Sequence, residues 1–163
     1  MFDTELSPTQ RARLALEDFY ADYVACLDED RLEDWPDFFT EDASYVLYPR
    51  ENEDGGYPIA LFSCENKRQL QDRITSHRKA NIFPAHWNRH VISSLRVTAL
   101  GGDQVETTSN YAIFQTRQDG ESKLFQVGQA RDKIVRDNSG LKFQSRHIVY
   151  DTSRVQTLFV TPI

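Results

Sequence analysis

From residue 27 to residue 45 the chain reads Leu27-Asp28-Glu29-Asp30-Arg31-Leu32-Glu33-Asp34-Trp35-Pro36-Asp37-Phe38-Phe39-Thr40-Glu41-Asp42-Ala43-Ser44-Tyr45. Three events follow one another in this stretch. An apolar helical stripe runs out near Asp30, a short helix carries Leu32, Trp35, Phe38 and Phe39, and a strand begins at Ala43. Pro36 fits the first turn of the short helix, where its missing N–H costs little. The acidic pairs between these elements read as solvated helix ends and loops.

Upstream, Ser7-Pro8 is a helix start, a capping side chain followed by proline at the first helical position. Ala12, Leu16, Phe19, Tyr20, Tyr23 and Leu27 then recur at three- and four-residue spacing, the mark of a helix with one apolar face. Downstream the period drops to two through Ser44-Tyr45-Val46-Leu47-Tyr48, a strand. Asn52 to Gly56 is expected to be a turn, and Ile59 to Ser63 a second strand. Leu70, Ile74 and His77 restore helical spacing from Asn66 to Ala80, until Asn81-Ile82-Phe83-Pro84 breaks it.

The remainder alternates almost without pause. Arg89 to Leu100, Gln104 to Arg117, Ser122 to Arg136 and Leu141 to Thr152 form four long segments separated by three short turns, each containing glycine. Short connections make consecutive strands antiparallel neighbours. Strands this long twist and curl into a concave face that helices can cover. No structure is assigned to Arg154–Ile163. About three helices on a strongly curved, mostly antiparallel sheet of about six strands is an α+β nuclear-transport-factor-like cone, expected as a single domain over residues 1–163. That shape hosts many functions, so chemistry must be argued from residues.

Composition narrows the classes. A formal net charge of −6 disfavours nucleic acid and anionic membranes, whose capture rests on clustered Lys and Arg. No apolar run approaches the roughly 20 residues of a membrane helix. The opening Met1-Phe2-Asp3-Thr4-Glu5 lacks a basic region and apolar segment, so a cytoplasmic location is expected. Two cysteines, Cys26 and Cys64, sit in apolar surroundings and read as reduced core residues.

Candidate chemistry is sparse. His86 and His90 have the four-residue spacing of two ligands on a helix face, but the strand pattern and Pro84 remove the helix. No metal or cofactor site is expected in this chain. Asp28, ending the first helix, and His90, opening a long strand, could meet as a carboxylate orienting an imidazole. Dehydratases of this fold look similar at those positions. They add a second histidine one strand later, where this chain has Ser109, Asn110 and Tyr111. Tyr45 and Tyr48 could supply a phenol, though strand tyrosines commonly fill cores. Arg50, Arg89, Arg96, Arg131, Arg136 and Arg146 recur among the strands, a pattern that suits protein interfaces.

Taken in order, several pieces resemble one family, the small or beta subunits of Rieske-type aromatic-ring-hydroxylating oxygenases. They are Leu27-Asp28 through Trp35-Pro36-Asp37-Phe38-Phe39, Tyr48-Pro49-Arg50-Glu51-Asn52, Leu70-Gln71-Asp72-Arg73-Ile74, Asn88-Arg89-His90-Val91-Ile92-Ser93 and Ser145-Arg146-His147-Ile148-Val149-Tyr150-Asp151-Thr152. The Pro49–Asn52 piece, with Asp54-Gly55-Gly56-Tyr57-Pro58 after it, is most similar to subunits serving salicylate- and benzoate-type hydroxylases. The resemblance implies a non-catalytic beta subunit of a terminal oxygenase component. It would assemble and stabilise alpha subunits, which carry the Rieske iron–sulfur cluster and the mononuclear iron, in an alpha3beta3 hexamer with beta–beta contacts. Electrons would come from NAD(P)H through a reductase, usually with a ferredoxin, for mono- or dihydroxylation of an aromatic acid such as salicylate. No catalytic residue is then expected here. The alternative is a free-standing dehydratase or isomerase of the same fold working through Asp28 and His90; a plain binding or transport module is a third reading.

Overall fold

Six strands line up as β2-β1-β6-β5-β4-β3 in one curved sheet, and three α-helices pack against it. This computed structural model describes residues 6–80, 82, 84–151 and 161–163. In chain order the elements are α1 (Pro8–Asp28), a 3-10 turn (Trp35–Phe38), β1 (Phe39–Pro49), α2 (Arg50–Gly55), β2 (Phe62–Cys64), α3 (Lys67–Ala80), β3 (His86–Gly101), β4 (Gln104–Arg117), β5 (Ser122–Asp137) and β6 (Gly140–Tyr150). Every pairing is antiparallel except β1 with β6. This is the nuclear-transport-factor-like cone that the alternation and helix order implied. No described helix is long and apolar enough to cross a membrane.

The helix α1 starts on a reciprocal cap. The Gln10 N–H donates to Ser7 Oγ at 3.3 Å, and the Ser7 N–H donates to Gln10 Oε1 at 2.7 Å. Its buried stripe of Leu16, Phe19, Tyr20, Tyr23, Cys26 and Leu27 closes the concave side of the sheet. Each large side chain so buried contributes about 1.5–3 kcal/mol. Rings interlock there edge to face, with Tyr23 and Phe143 5.2 Å apart and Trp35 against Tyr45 at 5.4 Å. After α1 the backbone turns at Asp30, in the left-handed region at φ 58. Arg78 of α3 holds that corner, donating to Asp30 Oδ2 and O and to both Glu33 carboxylate oxygens.

Four expectations need correction. The short helix is a 3-10 turn, and Phe39 belongs to β1, opposite Phe143 of β6 in the aromatic core, ahead of a register shift before Ser44. Residues 50–55, expected as a turn, form α2, which ends at Gly56 in the left-handed region. The β2 strand is only Phe62–Cys64: Leu61 makes a single bond to β1, and Tyr57 and Ile59 are tied to α2. There Asn52 Nδ2 donates to the Ile59 carbonyl at 2.7 Å and the Tyr57 N–H donates to the Asn52 carbonyl at 2.8 Å. Finally β3 begins at His86, three residues earlier than the pattern indicated. Of the tail, residues 154–160 lie outside the described residues, as does Thr152. Ile163 is buried: its carbonyl accepts from the Tyr23 hydroxyl at 2.6 Å, and its N–H donates to the Tyr45 hydroxyl at 3.0 Å.

Candidate functional site

Asp28 and His90 do meet, because α1 ends beside the inward pleat of β3. The His90 Nδ1 stands 2.6 Å from Asp28 Oδ1, and the His90 backbone N–H donates to both carboxylate oxygens at 3.2 Å. The carboxylate accepts from Nδ1–H, which leaves Nε2 to act on anything else. That nitrogen is sealed from solvent and has no hydrogen-bond partner. A general base must come within hydrogen-bond reach of the proton it takes. His90 borders a recess of about 350 Å³ between α1 and β3, with Glu17, Ala21, Val24, Ile92 and Leu95, yet its free nitrogen does not open to solvent through it. The geometry is that of a fastening: one carboxylate ties the end of α1 to His90, the fifth residue of β3.

The strand next to it offers no second base. Ser109 and Tyr111 point into the core from β4 while Asn110 faces out. The Tyr111 hydroxyl donates to Gln126 Oε1 at 3.2 Å, and burial pushes its pKa far above the ordinary range. Tyr45 is likewise buried and pushed up, its hydroxyl engaged by Ile163. Tyr48 stacks on His147 with ring centroids 5.2 Å apart. His86 and His90 are both on the extended β3, so four residues separate them by about 13 Å, too far to share an ion. Among the described residues no three His, Cys, Asp or Glu side chains gather as a metal site. The residues described therefore do not fit either an iron–sulfur cluster or a mononuclear iron. Cys26 and Cys64 are free and buried, with burial raising each thiol to about 11.

The most unusual chemistry lies where the sequence reading did not look. Arg146, read as an interface arginine, is 1% exposed in the middle of the cone. Its Nη1 donates to Asp132 Oδ2 at 2.7 Å, and its guanidinium lies over the Tyr23 and Phe143 rings at 4.8 and 4.9 Å. The Tyr20 hydroxyl donates to the same Asp132 oxygen at 2.6 Å and stands 2.8 Å from Thr107 Oγ1. Burial pushes Tyr20 well above its ordinary pKa, reinforced by the Asp132 charge. Burial also raises the Asp132 carboxyl, with Arg146 opposing it. A paired charge set in aromatic rings thus sits in the core under α1, beside the recess that His90 borders.

A second polar cluster lies on the outer face. Glu53 of α2 accepts from Arg131 Nη1 at 2.6 Å and stands 3.0 Å from His147 Nε2, while Arg50 Nη2 pairs with Asp151 at 2.7 Å. These contacts pin α2 across β5 and β6. Burial alone would raise the Glu53 carboxyl, but hydrogen bonds from His147 and Arg131 outweigh it and hold it below its ordinary value.

Comparison with known proteins identifies the family. The chain is 47% identical over 141 residues to the small subunit of anthranilate 1,2-dioxygenase from Burkholderia cepacia, across 86% of this chain and 88% of that one. It is 29% identical over 145 residues to a beta subunit of the terminal oxygenase component of terephthalate 1,2-dioxygenase from Comamonas, across 89% and 94% of the two chains. A crystal structure of the beta subunit assigned to an aromatic-ring-hydroxylating dioxygenase of Novosphingobium aromaticivorans superposes with a TM-score of 0.87 at 42% identity, covering 96% of this chain and all of that one. Residues 23–157 match the family described as ring hydroxylating beta subunit. With most of its length matched, the chain belongs to the beta subunits of aromatic-ring-hydroxylating oxygenases.

Proposed function

We propose that this chain is the non-catalytic beta subunit of a multicomponent aromatic-ring-hydroxylating dioxygenase, assembling and stabilising alpha subunits as an alpha3beta3 hexamer in the cytoplasm. In this family the Rieske cluster and the mononuclear iron reside on the alpha subunit. The observation that carries the proposal is how the interior groups are engaged: Tyr20, Asp132 and Arg146 are bonded to one another in the core, and Nε2 of His90, the imidazole paired with Asp28, is sealed from solvent. The substrate of the complex is an aromatic acid of the benzoate type, salicylate or its amino analogue anthranilate. Support for that class comes from relatives named for anthranilate and terephthalate, both aromatic carboxylates. Electrons reach the complex from NAD(P)H through separate carriers.

Co-expression with an alpha subunit tests this. The complex is expected to hydroxylate an aromatic acid, and His90→Ala to leave turnover per alpha iron within about two-fold while lowering the stability of this chain by about 1–3 kcal/mol. Loss of about 10²–10⁴-fold in turnover, with the fold intact, would make His90 an acid–base group instead and revive the dehydratase-like reading.

A further inference from the structure

We infer that the recess between α1 and β3 is a binding site on this chain for a small aromatic carboxylate with a hydrogen-bond donor beside the carboxyl group. It is a site for binding and not for turnover, and it lies apart from the chemistry assigned to the alpha subunit. The source of such an acid, the substrate pool of the complex, rests on the function proposed above; the lining carries the rest.

The recess owes its place to a bulge. Ser93 pairs with Asn110 and Arg96 with Thr108, so Ser94 and Leu95 together stand opposite Ser109 alone. Ser94 takes the left-handed region at φ 53, strained for a residue with a Cβ. A bulge of this kind bends its strand and is over-represented next to active sites. Here it faces α1 across about 350 Å³, at the low end of the range that holds small ligands and room for one ring.

The two walls run in opposite directions. Asp28, at the end of α1, meets His90, while Tyr20, about two turns earlier, reaches Thr107, the register partner of Val97. Val24 therefore lies towards the His90 end and Arg13 towards the bulge, which divides the lining by chemistry. Ala21, Val24 and Ile92 make an apolar end suited to a ring. Arg13, Glu17, Ser93 and Ser94, all exposed, make a polar end.

At the polar end Arg13 Nε donates to Glu17 Oε1 at 3.0 Å, which orients the guanidinium and leaves both Nη groups and the second Glu17 oxygen for a ligand. A planar guanidinium takes a carboxylate through two parallel hydrogen bonds. Glu17 repels a bare anion, and that repulsion selects the neighbouring donor. An ortho amino group fits best, because with two hydrogens it can satisfy its own carboxylate and still donate to Glu17. The Nε2 of His90 is sealed from solvent, so the imidazole offers a bound acid no base.

The full chain is purified by itself, so that no alpha subunit supplies a site, and is titrated with 2-aminobenzoate, benzoate and 2-aminobenzamide under ligand-observed saturation-transfer NMR. 2-Aminobenzoate is expected to bind saturably with a Kd of about 1 mM or tighter. Benzoate, lacking the donor, is expected to bind at least about three-fold more weakly, and 2-aminobenzamide, lacking the charge, at least about ten-fold. Arg13→Gln should weaken 2-aminobenzoate by about ten-fold or more. Ala21→Phe, which puts a ring into the recess from an exposed position, should abolish saturable binding. Arg11→Gln, outside the lining, should bind as wild type does, and circular dichroism confirms that each variant is folded. No saturable binding, an amide that binds as well as the acid, or binding that survives Arg13→Gln and Ala21→Phe overturns the site. Co-expression keeps this apart from the parent reading. A complex that hydroxylates an aromatic acid although the isolated chain binds none refutes the site and leaves the beta-subunit reading standing. A chain that binds the acid but never joins an alpha subunit does the reverse.

Discussion

Removing Arg146 alone should be among the most damaging single changes in this chain, and removing Asp132 with it should repair most of the damage. Arg146→Met keeps a long apolar side chain against Tyr23 and Phe143 but leaves Asp132 as a buried carboxylate whose remaining donor is the Tyr20 hydroxyl. Breaking a buried pair at one partner costs about 3–5 kcal/mol, because an uncompensated charge stays in a low-dielectric interior. In a domain of this size each kcal/mol moves Tm by about 2–4 °C, so the variant should melt roughly 6–20 °C lower. Asp132→Leu should cost a similar amount, since Arg146 at 1% exposure then has no carboxylate. The double variant, which removes both charges, should fall within about 1–2 kcal/mol of wild type and show a coupling of about 3 kcal/mol or more. Equilibrium urea unfolding at one fixed protein concentration measures all four corners of the cycle, which matters because assembly makes stability depend on concentration. Single variants within about 1 kcal/mol of wild type, or a strictly additive double variant, would refute the claim that this pair carries a buried, mutually dependent charge.

Further outcomes follow from the same geometry. Gly128→Ala should destabilise by about 1–3 kcal/mol or more, since its Cβ would meet the Val149 carbonyl oxygen at 2.2 Å and force β5 from β6; thermal melting reads this directly. Glu53→Gln should cost about 0.5–1 kcal/mol, limited by the partial exposure of the cluster. It should also flatten the acid limb of stability. The folded-state pKa of Glu53 lies below its ordinary value, so its contribution is present above that ordinary value and is lost as pH falls through the folded one. Urea unfolding from pH 6 down to pH 3 should separate wild type from the variant at the upper end and bring them together at the lower; parallel curves would contradict it.

Much of the architecture was legible because hydrophobic period and short connections dictate it. The Leu16–Leu27 stripe and the four alternating segments needed no tertiary information. The meeting of Asp28 with His90 also followed from element order. What escaped was set by contacts between distant residues. Phe39 joins β1 because Phe143, far along the chain, sits opposite it in the aromatic core. The α2 helix forms from a segment rich in turn residues because Glu53 and Arg50 find Arg131, His147 and Asp151 on the sheet. Arg146 was misplaced although a signal existed. It shares its strand parity with Ile148 and Tyr150, as Asp132 does with Ala130 and Ile134, and all of these point inward. Two opposite charges at inward positions of neighbouring strands are the mark of a buried pair, and composition alone hides it.

The central claim is that the iron acting on substrate belongs to another polypeptide. Its most direct test is to purify this chain alone and together with an alpha subunit, then assay bound transition metal and aromatic-acid hydroxylation in both preparations. The account predicts metal and turnover only where the alpha subunit is present. Stoichiometric iron in the isolated chain, or conversion of an aromatic acid by it, would contradict the account.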